Sequence, residues 1–123
     1  MKRITYVFLF AVLVITACKK NQLGGNSAIK GQVMHHEKAI ANAMVYIKFN
    51  SKESAGTNVS VYDASVQADA QGNYEFPSLY KGDYYLYAVG QDLAVPAPYI
   101  VSGGVPAKLG YKKKLTINIP VVE

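Results

Sequence analysis

Cysteine and arginine each occur once in this 123-residue chain, and no apolar run is long enough to cross a bilayer. Each scarcity excludes something. A single thiol, Cys18, rules out an internal disulfide, so a folded domain must be held by packing rather than by cross-links. The lone arginine is Arg3. Without a guanidinium beyond it, the rest of the chain lacks the bidentate fork that favours phosphate and base-edge recognition, which argues against nucleic acid as a partner. The longest apolar run, Ile4 to Ile15, would rise as a helix through roughly 18 Å, well short of the roughly 30 Å hydrocarbon core. Helical periodicity is missing as well: nothing from Ala28 onward sustains it.

What is present begins at the N-terminus. Lys2 and Arg3 form a charged start, the short apolar run follows, and the small residues Thr16 and Ala17 precede Cys18, the order of a secretory signal with a nearby cleavage point. The tetrapeptide Ile15-Thr16-Ala17-Cys18 resembles the lipobox of bacterial lipoproteins. That resemblance implies a signal peptide over 1–17 and a diacylglyceryl group on the Cys18 thiol, with the covalent lipid as the attached group and no other cofactor. Two or more acyl chains anchor a protein stably, whereas one binds marginally. The alternatives are an ordinary signal peptide with an incidental cysteine, or a short uncleaved anchor. Lys2 and Arg3 excluded, eleven lysines face eight acidic side chains, a mild net charge of +3. In such lipoproteins surface export is associated with acidic residues just after the cysteine; Lys19-Lys20-Asn21-Gln22 has none, which favours an outer-membrane protein facing the periplasm.

Residues 18–27 are polar and glycine-bearing and read as a lipidated cysteine followed by a flexible tether, up to roughly 30 Å long when extended. From Ala28 to Glu123 short runs of Val, Ile, Tyr and Phe alternate with Gly, Asn, Asp and Ser clusters, the pattern of an all-β domain. Strands are expected at 28–35, 43–50, 58–69, 73–79, 83–91, 97–103 and 113–122. Seven strands with a turn every ten residues or so predict an antiparallel Greek-key β-sandwich. Period-two alternation puts Ala43, Val45, Ile47 and Phe49 on the core face, with Tyr74, Phe76, Tyr84, Leu86 and Ala88, and Leu115, Ile117, Ile119 and Val121. Pro120, lacking an amide donor, predicts a sheet margin for the last strand.

Three segments carry a second resemblance: Ile29-Lys30-Gly31-Gln32-Val33; Ala39-Ile40-Ala41-Asn42-Ala43-Met44-Val45; and Ala68-Asp69-Ala70-Gln71-Gly72-Asn73-Tyr74-Glu75-Phe76, continuing through Leu79 to Lys81-Gly82-Asp83-Tyr84-Tyr85-Leu86. They are similar to the carboxypeptidase regulatory-like domain among the transthyretin-like, Ig-like sandwiches, with Ala39 and Asn42 where that family usually has Pro and Gly. The resemblance implies a structural module rather than a reaction. Asp69 to Gly72 predicts a tight turn, Gly82 a chain reversal, and Tyr84 a buried ring whose hydroxyl seeks a backbone partner.

Candidate chemistry is sparse. His35, His36 and Glu37 invite a metal reading, but neighbours on an extended strand point to opposite faces, so the pair is expected in a solvated loop, with no metal site. Neither a nucleophile–base set nor a paired carboxylate is evident, and no enzyme is expected. Lys112-Lys113-Lys114 reads as a solvated turn guarding an edge strand, or as a weak contact for anionic headgroups. Tyr46, Tyr85 and Tyr87, facing away from the core, form a candidate binding surface. The expected function is thus a membrane-anchored envelope lipoprotein with a non-catalytic module for structural or protein–protein interaction; the alternative is a glycan- or small-ligand-binding lipoprotein that uses the exposed tyrosines.

Overall fold

A computed structural model of the chain describes residues 20–123; Cys18 and the signal segment lie outside them. Among the described residues the strands are β1 (Leu23–His35), β2 (Lys38–Ala39), β3 (Met44–Phe49), β4 (Ala64–Gln67), β5 (Asn73–Leu79), β6 (Gly82–Gln91), β7 (Ile100–Leu109), β8 (Lys114–Thr116) and β9 (Ile119–Pro120), with a 3₁₀ turn at Val59–Val61. They form two sheets, making the molecule an all-β sandwich. In the first sheet β1 pairs with β2 and β5 antiparallel, and with β8 and β9 in parallel. The second is antiparallel in the order β4-β3-β6-β7. Pairing of β1 with β5 and of β3 with β6 makes the chain cross repeatedly between the sheets, and the core lies between them.

The alternation pattern identifies that core. Val45, Ile47, Tyr84, Leu86 and Ala88 are completely buried, and Ala43, Tyr74 and Phe76 nearly so, with Phe49, Leu115 and Ile117 packed at its edge. Two buried tyrosines keep their hydroxyls satisfied. Tyr84 donates to the Tyr80 carbonyl at 2.6 Å and Tyr74 to the Ile117 carbonyl at 2.6 Å. Burial pushes the Tyr84 phenol up to about 12 and that of Tyr74 further still. Asp69 accepts from the amides of Gln71 and Asn73, both at 2.9 Å, and Gly72 takes φ +76°, so the turn forms where its residues demand it. The Asn73 amide, then that of Gln71, holds the exposed Asp69 carboxyl below its ordinary range. Asn42 adopts φ +59°, the left-handed geometry a glycine would supply and asparagine tolerates.

Several boundaries differ from the sequence reading. The tether expected over 18–27 does not extend to Ala28: β1 begins at Leu23, the Asn21 amide donates to the Lys81 carbonyl at 2.9 Å, and Asn21 Oδ1 accepts from the Asp83 amide at 2.8 Å. Gly82 makes this docking possible, because a Cβ there would lie 1.9 Å from Asn21 Oδ1. The expected strand 58–69 shrinks to β4, since Asn58 accepts from the Ser60 amide and starts a 3₁₀ turn instead of an extended run. The strand expected at 97–103 is β7, which continues to Leu109. The strand expected at 113–122 divides around Ile117-Asn118, and its two parts run parallel to β1 rather than antiparallel, at the sheet margin, with Val122 bridging to Ser102 of β7.

Candidate functional site

The outer face of the second sheet carries an aromatic cluster. Tyr46 on β3 and Tyr87 on β6 are direct cross-strand partners, with ring centroids 6.4 Å apart. Tyr62, delivered by the loop between β3 and β4, stacks on Tyr87 at 5.6 Å with an interplanar angle of 15° and lies 5.9 Å from Tyr46. Its hydroxyl donates to the Gly56 carbonyl at 2.8 Å, and desolvation raises its phenol above the usual range. Lys48 holds the same loop by donating to the Val61 carbonyl at 3.0 Å, while Asp63 accepts from the Phe49 amide at 2.6 Å.

The proposed trio is therefore only partly available. Tyr46 and Tyr85 are half-buried and reach solvent, but Tyr87 is 7% exposed because Tyr62 covers it, a correction to its assignment as an exposed contact. Strand alternation gives the face of the sheet and carries no information about a loop folding over it. The sequence of residues 58–69 reads as strand, which hides the position of Tyr62 in a loop. Tyr85 stands apart: it pairs with Pro106, and its ring lies against the Gly104 backbone, where an added Cβ would sit 2.5 Å from Cε1. The absence of a side chain at Gly104 lets the ring lie across the neighbouring strand.

A second concavity, of about 480 Å³, lies on the outside of the first sheet, with Lys30, Gln32, Asn73, Glu75, Thr116 and Asn118 on its walls. Its polar groups are partly spent on one another. Asn118 Oδ1 accepts from the Gln32 amide at 3.1 Å, and the Gln32 side chain donates to the Gln71 carbonyl at 2.8 Å.

At one end of the sandwich the two histidines come together; His36 and Glu37 are exposed in the hairpin turn, as a solvated loop would have them, but His35 is not. His35, the last residue of β1, is 5% exposed. His36 and Glu37 have φ of +49° and +66°, the double left-handed geometry of a two-residue type I′ hairpin, with His35 and Lys38 paired across it. The reversal turns the His36 ring back toward His35, to a centroid distance of 4.2 Å. Opposite-face placement holds only for extended residues, and His36 is not extended. Asp92, itself buried, lies 2.7 Å from His35 Nδ1 and accepts from Lys38 Nζ at 2.5 Å and from the Ala94 amide at 3.0 Å; these donors, Lys38 foremost, hold its carboxyl far below the usual range.

The fold is shared with a solved structure. A protein from Pseudomonas aeruginosa, solved as a candidate carbohydrate binding protein, superposes with a TM-score of 0.58 over 85% of this chain and 92% of its own, at 11% sequence identity. At that identity the likeness concerns the fold alone. No protein-family model matches the chain. Nor does any curated protein.

Proposed function

We propose that this chain is a lipid-anchored protein of the bacterial cell envelope whose β-sandwich is a non-catalytic binding module, and that the tyrosine face of the second sheet takes a glycan. The observation that carries the ligand class is Tyr85 laid across Gly104, with Tyr46 and Tyr62 on the same face. A flat, rigid phenol ring presents an apolar surface to the C–H face of a sugar, and its hydroxyl serves the ring substituents, at little cost in side-chain entropy. The carbohydrate-binding description of the structural neighbour supports the same reading.

The address in this proposal rests on Lys2, Arg3, the apolar run and Ile15-Thr16-Ala17-Cys18, with the periplasmic face of the outer membrane favoured by the lack of acidic residues in Lys19-Lys20-Asn21-Gln22. Kinship to the carboxypeptidase regulatory-like domains belongs to the same proposal, since its motif residues Asp69, Gly72, Tyr74, Phe76, Gly82 and Tyr84 all have structural roles. With Asn21 docked on Lys81, a lipid on Cys18 would hold that end of the sandwich within about 10 Å of the bilayer rather than the 30 Å of a free tether.

The test uses the full chain in detergent on a glycan array, followed by calorimetry. Saturable binding, weakened about tenfold or more in Tyr85→Ala and in Tyr46→Ala while both variants remain folded at the assay temperature, is the expected result. Silence on the array, with an envelope protein recovered by crosslinking to the same face, would replace the glycan with a protein partner. An unmodified Cys18 thiol in the native protein by mass spectrometry would remove the anchor.

A further inference from the structure

We propose that His35, His36 and Glu123 form a mononuclear binding site for a divalent transition metal, with Zn²⁺ the best match. The nitrogen and carboxylate atoms these residues offer all lie within 4.8 Å of one another, beside a cavity of about 290 Å³. His35 Nε2 is 3.1 Å from Glu123 Oε2. In a tetrahedral site with bonds near 2.1 Å, ligand atoms stand about 3.4 Å apart, so these two are already spaced as neighbours around one ion.

The proton inventory of His35 supplies the chemical argument. An ionised carboxylate only accepts hydrogen bonds, so the 2.7 Å contact with Asp92 requires Nδ1 to carry the hydrogen. A neutral ring then presents a lone pair at Nε2. That atom is buried, has no aligned hydrogen-bond partner, and faces the carboxylate of Glu123. A divalent cation placed between the Nε2 lone pair and this carboxylate would be bonded by both. The Asp92–His35 pair is the carboxylate–histidine arrangement that fixes the tautomer and orientation of a metal-binding imidazole. Lys38 is engaged with the other oxygen of Asp92, so it satisfies that carboxylate rather than Glu123. His36 brings the third donor by virtue of its left-handed turn. Two imidazoles and one carboxylate suit borderline Zn²⁺ better than Ca²⁺ or Mg²⁺, which prefer all-oxygen sets. Water would complete the coordination from the open side of the cavity. Bound metal would clip the segment after β9 to the β1–β2 hairpin.

Tag-free full chain in detergent, with Cys18 alkylated so that its thiol offers no competing ligand, is dialysed against Zn²⁺ and analysed for metal. One ion per chain and a raised melting temperature are expected. His36 and Glu123 are exposed and outside the core, so His36→Ala and Glu123→Gln should keep the apo melting temperature and each lose about tenfold or more in affinity. Absence of saturable binding, or full affinity in either variant, would overturn the site.

Discussion

Tyr62 lies on Tyr87 with ring planes 15° from parallel and centroids 5.6 Å apart, so a loop side chain completes a face that the sheet alone would leave open. Tyr62→Ala should therefore uncover Tyr87 and free the segment between β3 and β4. An aromatic pair contributes about 0.5–1.5 kcal/mol beyond its buried area, so a modest loss of stability is expected, together with rapid proteolysis within residues 50–63. Tyr62→Phe keeps the stack and should behave nearly as the parent. Limited proteolysis followed by mass spectrometry reads both outcomes.

Removing the Tyr84 hydroxyl leaves the Tyr80 carbonyl without its 2.6 Å donor while preserving the ring in the core. Tyr84→Phe is expected to cost about 1–2 kcal/mol in urea unfolding. Tyr84→Ala, which also opens a cavity at a fully buried position, should cost about 3–5 kcal/mol.

The same phenols set an alkaline limit. Tyr84 is raised from its ordinary value near 10 to about 12 in the folded state, and Tyr74 is raised as well. A group with a raised folded pKa contributes stability that is complete below its unfolded value and lost as pH climbs through the folded one. Stability should thus fall between about pH 10 and 12, and Tyr74→Phe with Tyr84→Phe should flatten that fall. Chemical denaturation across the alkaline range checks the sign.

Gly31 permits a close approach between β1 and the turn joining β8 to β9. A Cβ there would lie 1.8 Å from the Ile117 carbonyl oxygen, which also accepts from Tyr74. Gly31→Ala should push that turn outward at a cost of about 1–3 kcal/mol, the range of overpacking. Faster hydrogen exchange at the Ile117 amide, which donates to Lys30, is the specific signature.

Legibility in the sequence followed the range of the interactions involved. Alternation in β3, β5 and β6 was readable because each strand has one face against the core, so Val45, Ile47, Tyr74, Phe76, Tyr84 and Leu86 could be placed residue by residue. The Asp69–Gly72 turn was readable because its bonds are local. Val59 and Val61 mimic a strand, and only the Asn58 cap betrays the turn. Docking of Asn21 on the Lys81–Asp83 segment depends on a partner some 60 residues away, and no local pattern encodes it. In the candidate sites, Tyr46 and Tyr85 followed from strand alternation, whereas burial of Tyr87 came from a loop. The meeting of His35 with His36 depended on two positive φ angles at residues that are not glycine.

The parallel pairing of β8 and β9 along β1 carries a mechanical consequence. The bonds Ala28 amide to Lys113 carbonyl, Ile117 amide to Lys30 carbonyl and Val121 amide to Met34 carbonyl are spread along a single seam. Tension between the start of β1 and the end of β9 would slide the strands lengthwise and load those bonds together, instead of peeling them one after another. A protein pulled from those two points would resist traction by shear.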